Sequence, residues 1–312
     1  MKILVPTVIP IECDLPTGVT RVDYDVNAPI PDQHRDAEAI VVWLNPAARL
    51  AALPSELPAL RWVQALMAGT DAVHAAGFPT HVHIAAGIGL HDETVAEHTL
   101  ALALAAARRL DQAVAAQAQH RWLSEHGGNQ TVNRTGFTTL TGARVLIWGF
   151  GSIGSTLAPY LRMLGAQVTG VARTPGVRDG YRIITTAQLQ PELGNTDLLI
   201  NILPGTPATD SIVNAEVFAS LPRHAWLINV GRGVTVDEDA LVAALARGDI
   251  AGAALDVFRT EPLPDDSPLW HAPNLIMTAH AAGGRPQQPG ARIAENVRRD
   301  LAGEPLLGVS PS

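Results

Sequence analysis

The 312-residue sequence has a single cysteine, Cys13, and a single lysine, Lys2, and each scarcity excludes a class of chemistry. One cysteine cannot form a disulfide within the chain, and it excludes zinc sites built from several cysteines. Without an internal lysine, the chain has neither a Schiff-base lysine nor the lysine of a Walker phosphate loop.

Positive charge and long apolar runs are scarce as well. The formal net charge is −8 and no dense basic cluster occurs, so we expect no nucleic-acid partner. The most apolar helical stretch, residues 99–107, is far shorter than the roughly 20 residues of a membrane span, so we expect no membrane association. The segment MKILVPTVIP is interpreted as a first strand rather than a signal peptide, and we therefore expect a cytoplasmic protein.

Hydrophobic residues make up 47% of the chain and occur mostly as short β-like runs that alternate with helical segments. The first half has predicted strands at 2–6, 21–25, 39–43, 62–65 and 83–85. After Thr141, six more are predicted at 144–147, 167–171, 198–201, 226–229, 252–255 and 275–277. This repeated alternation predicts an α/β protein with two doubly wound parallel sheets.

A long helix is predicted between the two halves. Asp92 is its expected N-cap, and the helix is expected to run from Glu93 to about Gln119. Its centre, LALALAAA, is apolar on every face, which predicts burial all round, either between domains or against a second subunit.

The segment GFGSIG at 149–154 matches the pattern G-x-G-x-x-G, with an apolar strand before it and a helical stretch after it. In dinucleotide-binding folds the first glycine permits a tight turn, the second admits the pyrophosphate and the third allows close packing of helix and strand. The N-terminus of the helix offers free N–H groups to the phosphates. We therefore assign cofactor binding to Gly149, Gly151, Ser152, Ile153 and Gly154.

The residue that selects between NAD and NADP is expected at the end of the next strand, where an acid binds the ribose of NAD. Here the strand ends GVARTPG, and no acid precedes Asp179. Arg173 at this place favours a 2′-phosphate, with Thr174 and Arg178 as further donors, whereas a solvated loop arginine is the alternative. The sequence thus predicts NADP(H) as the preferred cofactor, with NAD(H) possible.

Three charged side chains follow predicted strands at the sheet edge where doubly wound folds bind ligands: Arg232, Glu261 and His280. A histidine can donate a proton to a developing alkoxide near neutral pH, and a neighbouring carboxylate stabilises its imidazolium form. An arginine can pair with a carboxylate group of a ligand through its fork of donors. A structural salt bridge and an ordinary histidine are the alternatives.

These segments resemble the D-isomer-specific 2-hydroxyacid dehydrogenase family, most closely its glyoxylate/hydroxypyruvate reductases. The resemblance implies that Arg232, Glu261 and His280 are catalytic. It also implies a Rossmann cofactor domain, residues 93–282, inserted in a flavodoxin-like substrate domain, residues 1–92 and 283–312. The substrate carboxylate would be bound by Ala68, Gly69 and Thr70, together with Arg232. The further cofactor residues that it implies are Leu203, Pro204, Thr209, Val230 and Asp256, the last as partner of the nicotinamide carboxamide.

The function implied is hydride transfer from NADPH or NADH to glyoxylate or hydroxypyruvate, which gives the D-2-hydroxy acid without a metal. A short-type phosphoglycerate dehydrogenase and a non-catalytic nucleotide-sensing protein are the alternatives. A homodimer built on the cofactor domain is expected, with Trp122 in HRWLSEHGGNQ as an anchor. His91 either faces the cleft or has a packing role.

Overall fold

The computed structural model describes residues 1–126 and 136–309, which form two compact units. The first unit comprises Met1–His91 and the chain from Arg285 onward, and the second comprises Asp92–Gly284. The predicted domain boundaries lie one residue and two residues from these divisions.

The first unit contains a five-stranded parallel sheet in the order β2-β1-β3-β4-β5. Its strands are β1 (Lys2–Pro6), β2 (Thr20–Tyr24), β3 (Ala39–Val42), β4 (Trp62–Ala65) and β5 (His83–Ala85). Its α-helices are α1 (Ala47–Glu56), α2 (Asp71–Ala75) and, near the C-terminus, α9 (Pro289–Ala302). Strands β3 and β4 are buried along their whole length, as expected of central strands covered on both faces. This strand order is flavodoxin-like.

The second unit contains an eight-stranded sheet in the order β13-β12-β11-β10-β6-β7-β9-β8. Its strands are β6 (Arg144–Trp148), β7 (Gln167–Val171), β8 (Gly176–Arg178), β9 (Tyr181–Ile184), β10 (Leu198–Asn201), β11 (Trp226–Asn229), β12 (Gly252–Leu255) and β13 (Leu275–Met277). Its α-helices are α3 (Asp92–Arg108), α4 (Leu110–Ala118), α5 (Ser152–Met163), α6 (Gln190–Leu193), α7 (Ala215–Ser220) and α8 (Glu238–Arg247). Apart from β8, the strands are parallel, and the strand order reverses between β6 and β10, as in a Rossmann fold. The predicted fold class is thereby confirmed.

The hairpin β8–β9 was not predicted from the sequence. Asp179 and Gly180 connect its strands, and both have positive φ, 50° and 79°. An Asp-Gly pair with this conformation is a strong hairpin signal, so the sequence did contain the information. Asp179, the first acidic residue after Arg173, therefore lies in the turn of this hairpin and not at the end of β7.

The long helix predicted from Glu93 to Gln119 is two helices. Arg109 separates α3 from α4 and has φ 48°. Its guanidinium pairs with Asp111 at 2.9 Å, bonds Asn274 at 2.8 Å and lies over the ring of Trp226. Because these contacts stabilise a left-handed residue, the apolar pattern does not continue as one helix.

Within the single chain, this helical segment is buried on one face only, so its burial against a second subunit stays a prediction. Seven residues of α3 are buried, in a stripe of one helix face that packs beside α5. Leu104 is 38% exposed, and on α4 Leu110 and Val114 are 49% and 66% exposed. The alanine-rich sequence therefore leaves an apolar face uncovered.

His91 has a packing environment in the first unit. It is 5% exposed, its Nε2 lies 2.8 Å from the carbonyl oxygen of Leu66, and its ring stacks on Trp43.

Within the described part of the chain, the helices are all too short or too polar to cross a membrane.

Candidate active site

The loop that joins β6 to α5 passes close to the loop after β10. Gly149 has φ 105°, and a Cβ atom there would lie 2.6 Å from the carbonyl oxygen of Ile202. At Gly151, by contrast, a Cβ atom would have no atom of the described residues within 4 Å apart from those of its own chain neighbours. A Cβ at Gly154 would lie 3.2 Å from the Gly149 carbonyl oxygen. The loop thus borders open space in front of a helix N-terminus, which suits a pyrophosphate.

The first turn of α5 adds the two residues between these glycines. The hydroxyl of Ser152 donates to Asp92 Oδ1 at 3.1 Å, and Ile153 packs against the core. The side chain of Ser152 therefore ties the first turn of α5 to the start of α3.

The loop after β7 carries the cation predicted to select the cofactor. Arg173 and Thr174 are exposed. Arg178 instead donates from Nη1 to the carbonyl oxygen of Phe150 at 2.9 Å and from Nη2 to that of Thr174 at 3.1 Å. Arg178 thus connects this loop to the glycine loop, a contact that the sequence prediction of a phosphate donor did not include.

Glu261 and His280 meet beyond the ends of β12 and β13. His280 Nδ1 lies 2.7 Å from Glu261 Oε2, and Glu261 Oε1 accepts the backbone N–H of Phe258 at 2.9 Å. Because Nδ1 faces the carboxylate, Nε2 is the ring nitrogen that can serve a substrate. Half of the histidine side chain is exposed.

Asp256 holds the segment that carries this histidine. Its carboxylate is 1% exposed and accepts the N–H groups of Ala281 and Ala282 at 2.9 and 3.0 Å and the hydroxyl of Thr278 at 2.6 Å. His98 Nε2 lies 3.0 Å from that hydroxyl and 3.4 Å from the carboxylate. Sequence reasoning did not assign His98 or Thr278 to the site, because their contacts with Asp256 and with each other depend on tertiary structure.

Two buried asparagines position the loop of Arg232. Asn229 Nδ2 and the Thr235 hydroxyl both donate to the carbonyl oxygen of Arg232, at 3.1 and 2.6 Å. Asn201 Nδ2 donates to Asn229 Oδ1 at 3.1 Å and to the Thr235 hydroxyl at 2.6 Å. These asparagines were missed, although each is the one polar residue that ends an apolar strand, LLIN and WLIN.

The other predicted cofactor residues lie along the same sheet edge. Leu203 donates its N–H to Asn201 Oδ1 at 3.3 Å, and the Thr209 hydroxyl bonds the carbonyl oxygen of Pro204 at 2.6 Å. Val230 is 7% exposed and donates its N–H to the Asn201 carbonyl oxygen. Since β6, β10 and β11 are neighbours, these loops adjoin the glycine loop.

A cavity of about 530 Å³ opens beside the carboxylate–histidine pair. Glu261 and His280 contribute its polar wall, while Leu263, Trp270 and Met277 are among its apolar lining. Among the residues that the structure describes, no group of three or more His, Cys, Asp or Glu side chains is arranged to hold a metal ion.

The predicted substrate-carboxylate loop belongs to the first unit. Ala68, Gly69 and Thr70 are partly exposed and connect β4 to α2. The carbonyl oxygen of Thr70 accepts the N–H of His74 at 2.9 Å, which fixes the start of α2. The catalytic and cofactor candidates all lie in the second unit.

Comparison with known proteins identifies the class of this site. Residues 100–282 match the family model of the D-isomer specific 2-hydroxyacid dehydrogenase, NAD binding domain. Glyoxylate/hydroxypyruvate reductase A of Serratia proteamaculans is 35% identical over 293 residues, which cover 89% of this chain and 88% of that protein.

Solved structures that are similar to this chain are likewise named as a 2-hydroxyacid dehydrogenase or a glyoxylate/hydroxypyruvate reductase. A D-isomer specific 2-hydroxyacid dehydrogenase from Xanthobacter autotrophicus Py2, in complex with NADPH and MES, has a TM-score of 0.80 and 32% identity and covers 99% of this chain and 97% of its own. An NADPH-dependent glyoxylate/hydroxypyruvate reductase from Sinorhizobium meliloti, in complex with NADP and sulfate, has a TM-score of 0.81 and 28% identity, with 99% and 98% covered. The expected enzyme class, an NAD(P)-dependent dehydrogenase, is confirmed. The chain belongs to the D-isomer specific 2-hydroxyacid dehydrogenase family.

Proposed function

We propose that this chain reduces glyoxylate and hydroxypyruvate to their 2-hydroxy acids, that NADPH is the preferred cofactor and that NADH is a weaker one. The Serratia and Sinorhizobium relatives are reductases of these two acids, and both solved relatives contain NADPH or NADP. The observation that carries the proposal is the 2.7 Å contact between Glu261 and His280 at the sheet edge of the glycine loop.

In this proposal each polar side chain of the site has a defined role. His280 Nε2 donates a proton to the carbonyl oxygen of the substrate, and Glu261 stabilises the imidazolium and fixes the ring through Nδ1. Arg232 pairs with the substrate carboxylate and polarises the carbonyl. Backbone N–H groups of residues 68–70 also bind the carboxylate. Bound NADPH supplies the hydride.

The proposed cofactor residues lie at the same edge of the sheet in the second unit. The glycine loop at 149–154 would hold the pyrophosphate, and Arg173 with Thr174 would meet the 2′-phosphate. The nicotinamide half would lie against Leu203, Pro204, Thr209 and Val230. Asp256 would act mainly through the backbone that it fixes, since both of its oxygens accept hydrogen bonds from residues 278–282.

We also propose a homodimer built on the second unit. Its helices α3 and α4 leave Leu104, Leu110 and Val114 exposed, and Trp122, just beyond them, is 90% exposed. A second copy of the chain would cover this face. The predicted anchor segment HRWLSEHGGNQ extends past residue 126, and that part lies outside the described residues.

The consumption of NADPH with a panel of 2-oxo acids tests the activity. We expect turnover with glyoxylate and hydroxypyruvate, and a D-configured product from hydroxypyruvate. A preference for 3-phosphohydroxypyruvate would instead identify a phosphoglycerate dehydrogenase. Binding of NADPH without turnover of any 2-oxo acid would identify a nucleotide sensor.

Arg173→Asp tests the cofactor preference. A charged hydrogen bond contributes about 1.5–3 kcal/mol, so we expect wild type to favour NADPH over NADH about ten- to a hundredfold in kcat/KM. The variant should lose this preference, mainly through a higher KM for NADPH, and salt should weaken the wild-type preference because the loop is exposed. Arg182→Asp is the control, since Arg182 is exposed and pairs with Glu192. A wild type that favours NADH would contradict the proposal.

A further inference from the structure

Arg178 bridges two loops of the second unit that follow the paired strands β6 and β7. Its Nη1 donates to the carbonyl oxygen of Phe150, in the middle of the glycine loop, at 2.9 Å. Its Nη2 donates to the carbonyl oxygen of Thr174, the residue after Arg173, at 3.1 Å. One planar guanidinium thus joins the proposed pyrophosphate loop to the proposed 2′-phosphate loop, in addition to the backbone bonds that Gly149 and Phe150 donate to the carbonyl oxygen of Val171.

The glycine-loop end of this bridge is held by packing. Phe150 is 1% exposed, and its ring fills the space beside Gly170, where a Cβ atom would lie only 2.4 Å from it. The ring also lies 5.9 Å from that of Tyr181, which Arg162 covers from 4.5 Å. The carbonyl group of Phe150 is therefore a fixed anchor.

The other end depends on the hairpin. Arg178 is the last residue of β8 and pairs with Tyr181 across the Asp179–Gly180 turn. Strand β9 in turn pairs in parallel with β7, the strand that leads to Arg173. The hairpin consequently places the guanidinium beside the loop that it bonds.

Arg173 is placed differently. It is exposed and, across residues 1–126 and 136–309, it makes no side-chain hydrogen bond or ion pair. Its donors are available to a ligand, whereas two N–H groups of Arg178 bond backbone carbonyl oxygens. The two arginines of this loop therefore differ in what they can do.

We propose that Arg178 is a positioning residue for the cofactor: it holds the 173–174 segment at a fixed distance from the glycine loop so that Arg173 meets the 2′-phosphate. This rests on the proposed preference for NADPH. Because the bridge consists of contacts within the chain itself, it reduces the ordering of the loop that cofactor binding requires. NADH has no 2′-phosphate and gains less from the bridge.

The test measures the equilibrium dissociation constants of NADPH and NADH by calorimetry, and the ratio of kcat/KM with the two cofactors. In Arg178→Met the Kd for NADPH should rise about three- to tenfold more than the Kd for NADH, because the loss of two charge-assisted bonds at a partly exposed site loosens the loop. Arg178→Lys should show most of this loss, since a single ammonium group cannot replace the planar fork. Arg182→Met removes the same charge from the same hairpin and should leave the ratio unchanged.

Each other result contradicts a defined part of the proposal. A wild-type ratio in Arg178→Lys, with a loss only in Arg178→Met, would mean that the charge itself acts on the phosphate. An equal loss in Arg182→Met would mean a diffuse effect of positive charge. An unchanged ratio in Arg178→Met would exclude any role. If Arg178→Met fails to fold, the NADPH/NADH ratio of Arg178→Lys is compared with that of Arg182→Met. A lower ratio in Arg178→Lys alone supports the proposal, and equal ratios contradict it. A wild type that binds NADH more tightly would overturn the proposed cofactor preference first.

Discussion

At the residue scale, the two oxygens of Glu261 have different partners. One accepts a backbone N–H from Phe258, and the other faces Nδ1 of His280. A carboxylate can accept from both sides, but an amide has one acceptor and one donor. Glutamine at position 261 would therefore turn an N–H group either toward the backbone N–H or toward the imidazole.

We predict that Glu261→Gln and His280→Gln both impair turnover and that their effects are not additive. His280→Gln should lower kcat for glyoxylate about 10²–10⁴-fold, the usual contribution of general acid–base catalysis. Glu261→Gln should lower it less, because the histidine remains. The double variant should be no slower than His280→Gln, since the glutamate acts through the histidine. Steady-state kinetics of the four proteins measure this, and additive losses would show that Glu261 acts on its own.

At the element scale, Asp197 fastens the start of β10 to the neighbouring strands. Its Oδ2 accepts the backbone N–H of Arg144, the first residue of β6, at 2.7 Å, and its Oδ1 lies 2.7 Å from Nε2 of His224, which precedes β11. Burial by itself would raise the pKa of this carboxyl, but the hydrogen bonds from Arg144 and His224 outweigh it, and the pKa lies below the ordinary value of 3.8. The ionised form is therefore the one that stabilises the folded chain.

We predict that Asp197→Asn lowers the free energy of unfolding by about 1–3 kcal/mol at neutral pH, the cost of unpaired buried groups. A depressed folded-state pKa gives stability that is present above the unfolded pKa and is lost as pH falls through the folded one. The difference between wild type and variant should hence shrink as pH falls below 3.8. Denaturant unfolding over a pH series measures it.

The control for Asp197 is Asp210→Asn. Asp210 pairs with Arg259 on the surface, where an ion pair contributes little. A loss of stability in Asp210→Asn as large as that in Asp197→Asn would show that buried pairing between strands is not the cause.

At the scale of the whole molecule, the apolar face of α3 and α4 bears on the state of assembly. Trp122 is 90% exposed, and a large aromatic side chain at the centre of an interface often costs 2 kcal/mol or more on truncation. We predict that wild type has the mass of a dimer by light scattering at micromolar concentration and that Trp122→Ala shifts it toward monomer. Met163→Ala, which removes an apolar side chain 76% exposed on α5, should not. A monomeric wild type would contradict the proposed dimer.

The sequence by itself determined the elements whose signals are local. Apolar runs such as LLIN and WLIN marked the central strands, the glycine pattern at 149–154 marked the turn into α5, and the position of His280 just past a strand marked the edge of the sheet. Each signal is contained in a few neighbouring residues, because strand burial and tight turns depend on local side-chain size and backbone freedom.

Only the tertiary structure decided which distant residues meet. The bond of Asn201 to Asn229, the bridge of Arg178 to Phe150 and the link of His98 to Asp256 each join residues 28 or more positions apart. The left-handed Arg109 likewise depends on Asn274, which is 165 residues away. Such contacts follow from the order of strands in the sheet, and strand order results from how all the elements cover one core together, which no short segment specifies.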